Sequence, residues 1–172
     1  MELTNKAIAF AMKAHEGQTR KVSGLPYIVH PIEVYSIVKK YKESHNIDAI
    51  CAAAVLHDML EDTDTTFDQL RSEFGYMTAS LVAEVTTDTS LCAEMGKLAY
   101  INKKLDGLTS WALVIKLADM LANVTDNPNE RTVKRVSSHM DHLQSSGFYL
   151  SDTQKKLIAQ IRHALYTLHS IG

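Results

Sequence analysis

The chain has 172 residues, of which 45% are hydrophobic and 22% are charged, an ordinary balance for one globular domain. Its formal net charge of −2 excludes a bulk basic field that would attract nucleic acid. No apolar run reaches membrane-spanning length, and the first residues lack a signal-peptide core. Two cysteines are too few for a disulfide framework. We therefore expect a single domain over residues 1–172 in the cytoplasm, without a nucleic-acid or membrane partner.

Apolar residues recur at helical spacing along most of the chain, which predicts an all-α fold of eight to ten helices. The first predicted helix begins at an N-cap on Thr4 and ends at Gly17. The loop that follows carries Arg20 and Lys21, two adjacent cations without a local carboxylate partner. Pro31 favours the start of a second helix and places His30 there. The apolar stretch Tyr27–Val29 should anchor His30 inward.

The third predicted helix runs from about Asp48 to Glu61 and finishes in a dense acidic cluster. His57, Asp58, Glu61 and Asp62 cover an arc of about 140° at roughly 100° per residue. Three carboxylates this close repel one another unless a cation offsets them. Carboxylates are also disfavoured near a helix C-terminus. The cluster therefore predicts a metal site with His57 and Asp58 as ligands.

Capping and glycine signals divide the middle of the chain. Residues 66–69, T-F-D-Q, match the capping-box pattern and predict a short helix that closes at Gly75. Further helices are predicted over residues 77–85 and 92–105, and the second of these carries Lys97. The polar residues between these two helices predict a loop.

The helix that begins after Ser110 is apolar on almost every side, so we expect it to be central and buried. Asp119 and Asn123 lie one turn apart on it. An unpaired buried carboxylate is costly, so Asp119 needs either a salt bridge to Arg or Lys or a metal ion. Because the cluster around His57 needs another oxygen ligand, we favour the metal ion, with His30 as a further nitrogen ligand.

The last third of the chain is less informative. A basic helix opens with Arg131 and Lys134, which are only compositional candidates for phosphate contact. His139 and His142 are spaced as a possible second metal pair, but no carboxylates support it. A final amphipathic helix from Asp152 is predicted to serve packing.

Three segments carry a family resemblance: A-H-E-G-Q-T-R-K-V-S-G-L-P-Y-I-V-H-P-I-E-V, A-A-V-L-H-D-M-L-E-D-T-D-T-T and V-I-K-L-A-D-M-L-A-N. With their ordered H…HDxxED…D set, they resemble the HD superfamily of metal-dependent phosphohydrolases. The closer similarity is to the (p)ppGpp hydrolase domain of RelA/SpoT proteins, especially the stand-alone small alarmone hydrolases. The similarity covers about Leu3 to Pro128 and implies a compact all-α HD-domain fold with a buried metal site.

The resemblance also implies roles for individual residues. It implies one Mn²⁺ ion held by four ligands, His30, His57, Asp58 and Asp119. Glu61 and Asp62 match the family's catalytic E-D pair. Four residues match substrate-binding positions, with Lys97 aligned more loosely than the rest: Arg20, Lys21, Lys97 and Asn123. Met120 and Thr125 replace basic residues that are common in the family, which departs from its usual substrate contacts.

The implied activity is Mn²⁺-dependent hydrolysis of the 3′-pyrophosphate of (p)ppGpp, giving GDP or GTP and pyrophosphate. The implied partner is therefore a small nucleotide. Two alternatives remain at this level. One is an HD phosphohydrolase for another nucleotide, such as an adenine alarmone or the 2′-phosphate of NADPH. The other is a module that binds an alarmone without turnover.

Overall fold

The structure, a computed structural model, describes residues 2–21 and 23–171, with side chains through residue 168. The described residues form ten helices, joined by turns and one isolated β-bridge between Thr19 and Pro26. The all-α prediction is therefore confirmed. In chain order the helices are α1 (Glu2–Ala14), α2 (Val29–Tyr41), α3 (Ile47–Val55), α4 (Met59–Asp62), α5 (Phe67–Val85), α6 (Thr89–Met95), α7 (Lys97–Gly107), α8 (Ser110–Thr125), α9 (Glu130–Ser145) and α10 (Asp152–Ile171).

Two helices, α3 and α8, form the centre of the molecule. Helix α3 packs against α1, α2 and α5, and α8 packs against α2, α5 and α10. Residues 50–56 are all buried, and most of α8 is buried as well. The prediction that the helix after Ser110 is central is confirmed. None of the described helices has both the length and the apolar character needed to cross a membrane.

The prediction of one continuous helix from Asp48 to Glu61 is wrong, because the α-helical hydrogen bonds are interrupted in the middle of this segment. Helix α3 ends at Val55 and α4 begins at Met59. The N–H of Met59 bonds to the carbonyl of Leu56 at 3.0 Å, a tighter i−3 turn, and Asp58 (φ −95°, ψ 0°) takes the N-cap position of α4. Asp favours such helix ends over helix interiors. The H-D pair thus lies in a break between two helices.

Other predicted boundaries are partly correct. Thr4 lies inside α1, where its buried hydroxyl donates to the Asp48 carboxylate, so the N-cap prediction is wrong. The capping box at Thr66 is confirmed, and Gly75 (φ 81°) interrupts α5 as predicted. The helix predicted over residues 92–105 is instead two helices, because Gly96 (φ 80°) adopts a left-handed conformation that glycine tolerates.

Candidate metal centre and active site

Two imidazoles and two carboxylates meet in the interior. The Nε2 atom of His30, at the start of α2, lies 3.2 Å from Oδ1 of Asp119 on α8 and 3.8 Å from Oδ2 of Asp58. The Nε2 atom of His57 lies 3.0 Å from Oδ2 of Asp58 and 3.8 Å from Oδ1 of Asp119. Ligand atoms of His30, His57 and Asp119 all lie within 4.8 Å of one another. The structure therefore brings the four predicted ligands together.

The break between α3 and α4 explains how adjacent residues reach one place. Consecutive side chains on a continuous helix point about 100° apart, whereas His57 and Asp58 converge here. The Nδ1 atom of His57 lies 2.8 Å from the carbonyl oxygen of Ala54. Because a carbonyl only accepts, Nδ1 carries a proton, and Nε2 is the nitrogen left to bind a second proton or a metal ion.

The Nε2 atom of His57 is buried and has no hydrogen-bond partner among the described residues. Unsatisfied buried polar atoms are rare, and a nitrogen in this position beside two carboxylates favours a bound proton or cation. Two imidazole nitrogens with carboxylate oxygens form a donor set for divalent metal ions. The residues present fit such an ion.

The electrostatics show that the site attracts positive charge. Burial acts to lower the pKa of His57, but Asp58 and Asp119 outweigh it and raise the pKa to about 10. Burial acts to raise the pKa of Asp58, yet His57 lowers it to about 2. The carboxylates therefore stay ionised near neutral pH, and a proton and a metal ion compete for the same nitrogen.

Asp119 has two partners on its own helix. Lys116 donates to its Oδ2 atom at 2.9 Å, and the side-chain amide of Asn123 donates to its Oδ1 atom at 2.6 Å. Burial acts to lower the pKa of Lys116, but Asp119 raises it to about 12, so the ammonium stays charged. The salt-bridge alternative for Asp119 thus exists together with its position in the cluster. The i,i+3 spacing of Lys116 and Asp119 was the signal available in the sequence.

Tyr27 is a polar member of the site and not simply an apolar anchor. Its hydroxyl donates to Oδ2 of Asp58 at 2.6 Å and lies 3.1 Å from Oδ2 of Asp62. Burial, together with Asp58, raises the pKa of Tyr27, so the hydroxyl keeps its proton. Its ring packs against His15, with 4.7 Å between centroids. Tyr27 therefore connects Asp58, in the cluster of two imidazoles and two carboxylates, to Asp62 on α4.

Glu61 and Asp62 lie in the first turn of α4, exposed at the rim of the site. Both line a cavity of about 240 Å³ together with His30, Asp58 and Asp119. Glu61 accepts a hydrogen bond from the backbone N–H of Thr87. Helix α4 is a single turn whose last two residues are Glu61 and Asp62, so both carboxylates lie near its N-terminus and its C-terminus alike. The helix dipole of so short an element therefore neither favours nor disfavours the pair.

A larger cavity of about 730 Å³ adjoins the first. Its lining includes all four residues predicted to bind substrate: Arg20, Lys21, Lys97 and Asn123. Arg20 lacks a local partner, as expected, but forms an ion pair with Asp126, 106 positions away in the chain. Arg135, which the sequence did not single out for this site, lines both cavities.

The histidines on α9 bind to α7 and do not form a metal pair. Nδ1 of His139 lies 2.7 Å from Oδ1 of Asn102, and Nε2 of His142 lies 2.6 Å from Oδ1 of Asp106. These contacts attach α9 to α7, and His139 also lines the smaller cavity. Neither histidine belongs to the metal-binding group found in the described part of the chain.

Comparison with known proteins identifies the family to which this arrangement of helices and side chains belongs. Residues 7–143 match the family model described as HD domain. The chain belongs to the HD-domain family. It is 36% identical over 141 residues to guanosine-3′,5′-bis(diphosphate) 3′-pyrophosphohydrolase MESH1 of Danio rerio, covering 79% of this chain and 77% of that protein. It is 33% identical over 163 residues to the Homo sapiens protein of the same name, covering 92% and 90% respectively.

The fold of this chain is also similar to that of a solved structure. That structure is described as a metazoan ortholog of SpoT that hydrolyses ppGpp and plays a role in starvation responses. It superposes with a TM-score of 0.77 at 26% sequence identity and covers 95% of this chain and 96% of its own. The predicted resemblance to the (p)ppGpp hydrolase group of HD domains is therefore confirmed.

Proposed function

We propose that this HD domain hydrolyses the 3′-pyrophosphate of (p)ppGpp to give GDP or GTP and pyrophosphate. One observation carries the proposal. The cluster of His30, His57, Asp58 and Asp119 opens into a small cavity that continues into a larger one lined by cations. A phosphate ester at the cluster and a nucleoside in the larger cavity would fit this arrangement. The names of the Danio rerio and Homo sapiens relatives support it.

The ion we propose for the cluster is Mn²⁺, held by His30, His57, Asp58 and Asp119. Two imidazoles and two carboxylates combine nitrogen and hard oxygen donors. Such donors bind Mn²⁺ more favourably than they bind metals that prefer thiolate ligands. Neither Cys51 nor Cys92 belongs to the metal-binding group found among the described residues. When bound, such an ion lowers the pKa of water and stabilises charge on a phosphate.

The side chains around the cluster have separate roles in the proposed reaction. The oxygen of a water molecule forms a bond to the phosphorus on the nucleoside's 3′ oxygen, and the bond between that phosphorus and the 3′ oxygen breaks. Glu61 accepts the proton that water loses, with Asp62 beside it, and the 3′ oxygen is protonated as it leaves. Tyr27 holds Asp58 and Asp62 in position through its hydroxyl. Lys116 keeps a permanent positive charge next to Asp119.

The larger cavity supplies the proposed nucleotide contacts. Arg20 and Lys21 bind the nucleoside. Arg20, Lys97 and Asn123 line both cavities, so they can also contact the part of the nucleotide next to the cluster. Cations in a partly closed cleft stabilise the negative charge of a phosphate more than cations in open water do.

Steady-state turnover of a nucleotide panel with Mn²⁺ tests the proposal. The panel contains ppGpp, pppGpp, ppApp, NADPH and deoxynucleoside triphosphates, and Asp119→Asn is the variant for comparison. We expect the highest kcat/KM for the guanosine 3′-pyrophosphates, with pyrophosphate as product, and loss of turnover in the variant. Faster hydrolysis of ppApp or NADPH would assign the site to that nucleotide. Tight ppGpp binding without turnover of any member would indicate a binding module.

A further inference from the structure

A third cavity lies beside the two already described, between the start of α7 and the first turns of α9. It measures about 700 Å³ and has a largely basic lining: Lys97, Leu98, Glu130, Arg131, Lys134, Arg135 and Ser138. Lys97 and Arg135 also line the metal-cluster cavity and the larger cavity. The three cavities therefore meet at these two cations.

The charges of this third cavity are poorly balanced by the protein. Lys134 pairs with Glu130 at 2.6 Å, with both side chains largely exposed. Among the described residues, no carboxylate forms an ion pair with Lys97, Arg131 or Arg135. Arg131 and Arg135 are one helical turn apart, so they lie on the same side of α9. Unpaired cations collected in one cleft of a chain whose net charge is −2 create a local site for a polyanion.

Three cavities meet at one point, just as three substituents of a nucleotide meet at its ribose. A guanosine 3′,5′-bisphosphate carries three groups on one ribose: the base, the 3′ phosphates and the 5′ phosphates. The metal cluster accounts for the 3′ phosphates, and the cavity with Arg20 and Lys21 accounts for the nucleoside. The remaining cavity is basic and has no assigned ligand.

We propose that the third cavity binds the 5′-polyphosphate of the nucleotide whose 3′-pyrophosphate is cleaved, which rests on the function proposed above. Arg131 and Lys134 contact the distal 5′ phosphates, and they determine how strongly the enzyme distinguishes substrates by 5′ phosphate number. An arginine contributes a planar, bidentate contact to phosphate, and a lysine contributes a point charge.

Contacts to the 5′ phosphates should affect substrate binding and not the chemical step. The 5′ phosphates are remote from the bond that breaks, so contacts to them should be equal in the ground state and the transition state. Such contacts lower KM and leave kcat largely unchanged. Because the lining is open to solvent, added salt should weaken the discrimination.

The test is a substrate series that keeps the guanosine 3′-diphosphate and varies only the 5′ end. The four members carry a 5′ hydroxyl, monophosphate, diphosphate or triphosphate. For the wild type we expect kcat/KM to rise by about tenfold or more across the series, mostly through KM. The double variant Arg131→Ala/Lys134→Ala should flatten the series and leave kcat/KM for the 5′-hydroxyl substrate within about twofold of the wild type.

A matched control removes two cations elsewhere. Lys155 and Lys156 are exposed on α10, which contributes to none of the three cavities, and Lys155→Ala/Lys156→Ala should keep the full series. A flat series for the wild type, or an equal loss for all four substrates in the Arg131/Lys134 variant, would overturn the proposal while hydrolysis itself stands. If no member is hydrolysed, the proposed function fails. In that case the cavity is tested by calorimetric Kd values for the same four ligands. Affinity that rises with 5′ phosphate number in the wild type and not in the Arg131/Lys134 variant supports the proposal, and equal affinity across the series overturns it.

Discussion

Arg20 and Asp126 are joined by two hydrogen bonds that end on one carboxylate oxygen. Nε and Nη2 of Arg20 donate to Oδ2 of Asp126 at 3.0 Å and 2.6 Å. The pair connects the loop after α1 to the turn after α8, and the two side chains are 15% and 26% exposed. Both residues line the larger cavity. An anionic nucleotide there meets a cation whose charge is already neutralised by a carboxylate.

Opposite kinetic effects should follow from changing the two partners. Replacing Arg20 and Lys21 by Ala should raise KM for ppGpp more than it lowers kcat, because their contacts mainly supply uniform binding. Asp126→Asn should lower KM, because it removes a negative charge and releases Arg20 for the nucleotide. Steady-state kinetics measure both. A rise in KM for Asp126→Asn as large as that for the double Ala variant would show that the pair acts by holding the loop in place.

Mn²⁺ should stabilise the fold. The candidate ligands come from α2, the α3–α4 break and α8, and an ion bound only by the folded state raises its stability. We expect chelation to lower the Tm, and Mn²⁺ to restore it, by thermal melting. Asp119→Asn should abolish the response, whereas Asp106→Asn, which changes a carboxylate paired with His142, should keep it. An Asp119 variant that binds Mn²⁺ like the wild type would remove this residue from the site.

A substitution at Glu61 distinguishes an enzyme from a protein that only binds the nucleotide. Glu61→Gln keeps the size of the side chain and an oxygen for the Thr87 N–H, but it cannot accept a proton. We expect Mn²⁺ and ppGpp to bind normally while kcat falls on the order of a hundredfold or more. Asp62→Asn is the matched comparison and should lower kcat less. Near-normal turnover of the Gln variant would show that Glu61 is not the proton acceptor.

His139 should make stability depend on pH. Burial, with a contribution from Arg135, lowers its pKa to about 4, whereas an unfolded His titrates near 6.5. Between these values the unfolded state binds more protons, so stability is lost as pH falls from about 6.5 towards 4. The loss attributed to His139 between pH 7 and pH 5 is about 2 kcal/mol.

Urea unfolding of the chelated protein at the two pH values measures the effect. His139→Asn keeps a donor toward Asn102 and should remove about 2 kcal/mol of the pH dependence, while His163→Asn, at an exposed position, should retain it. The same pH dependence in the His139 variant and the wild type would show that His139 is not responsible.

Part of the candidate site can be predicted from the sequence alone. Asp119 is identifiable because a carboxylate on a helix with apolar residues on every side must have a partner. The break between α3 and α4 is not predictable from periodicity, because apolar spacing continues through Leu56, Met59 and Leu60. Tyr27 is read as apolar from its ring, and only the fold shows where its hydroxyl points.

The remaining cations depend on how distant helices pack. Lys116 is an exception, because its partner Asp119 lies three residues along the same helix and the pair can be proposed from spacing alone. Arg135 enters the site because α9 packs against α7, partly through the contact of His139 with Asn102. No local pattern around Arg135 specifies that packing.

The destination of the water oxygen identifies the bond that is cleaved. Hydrolysis of ppGpp by the Mn²⁺-loaded wild type in ¹⁸O-labelled water, followed by mass spectrometry of both products, measures it. We expect ¹⁸O in the pyrophosphate, none in the GDP, and no labelled product from Asp119→Asn. Label in the GDP, release of orthophosphate instead of pyrophosphate, or equal labelling by the Asp119 variant would contradict hydrolysis of the 3′-pyrophosphate at this cluster.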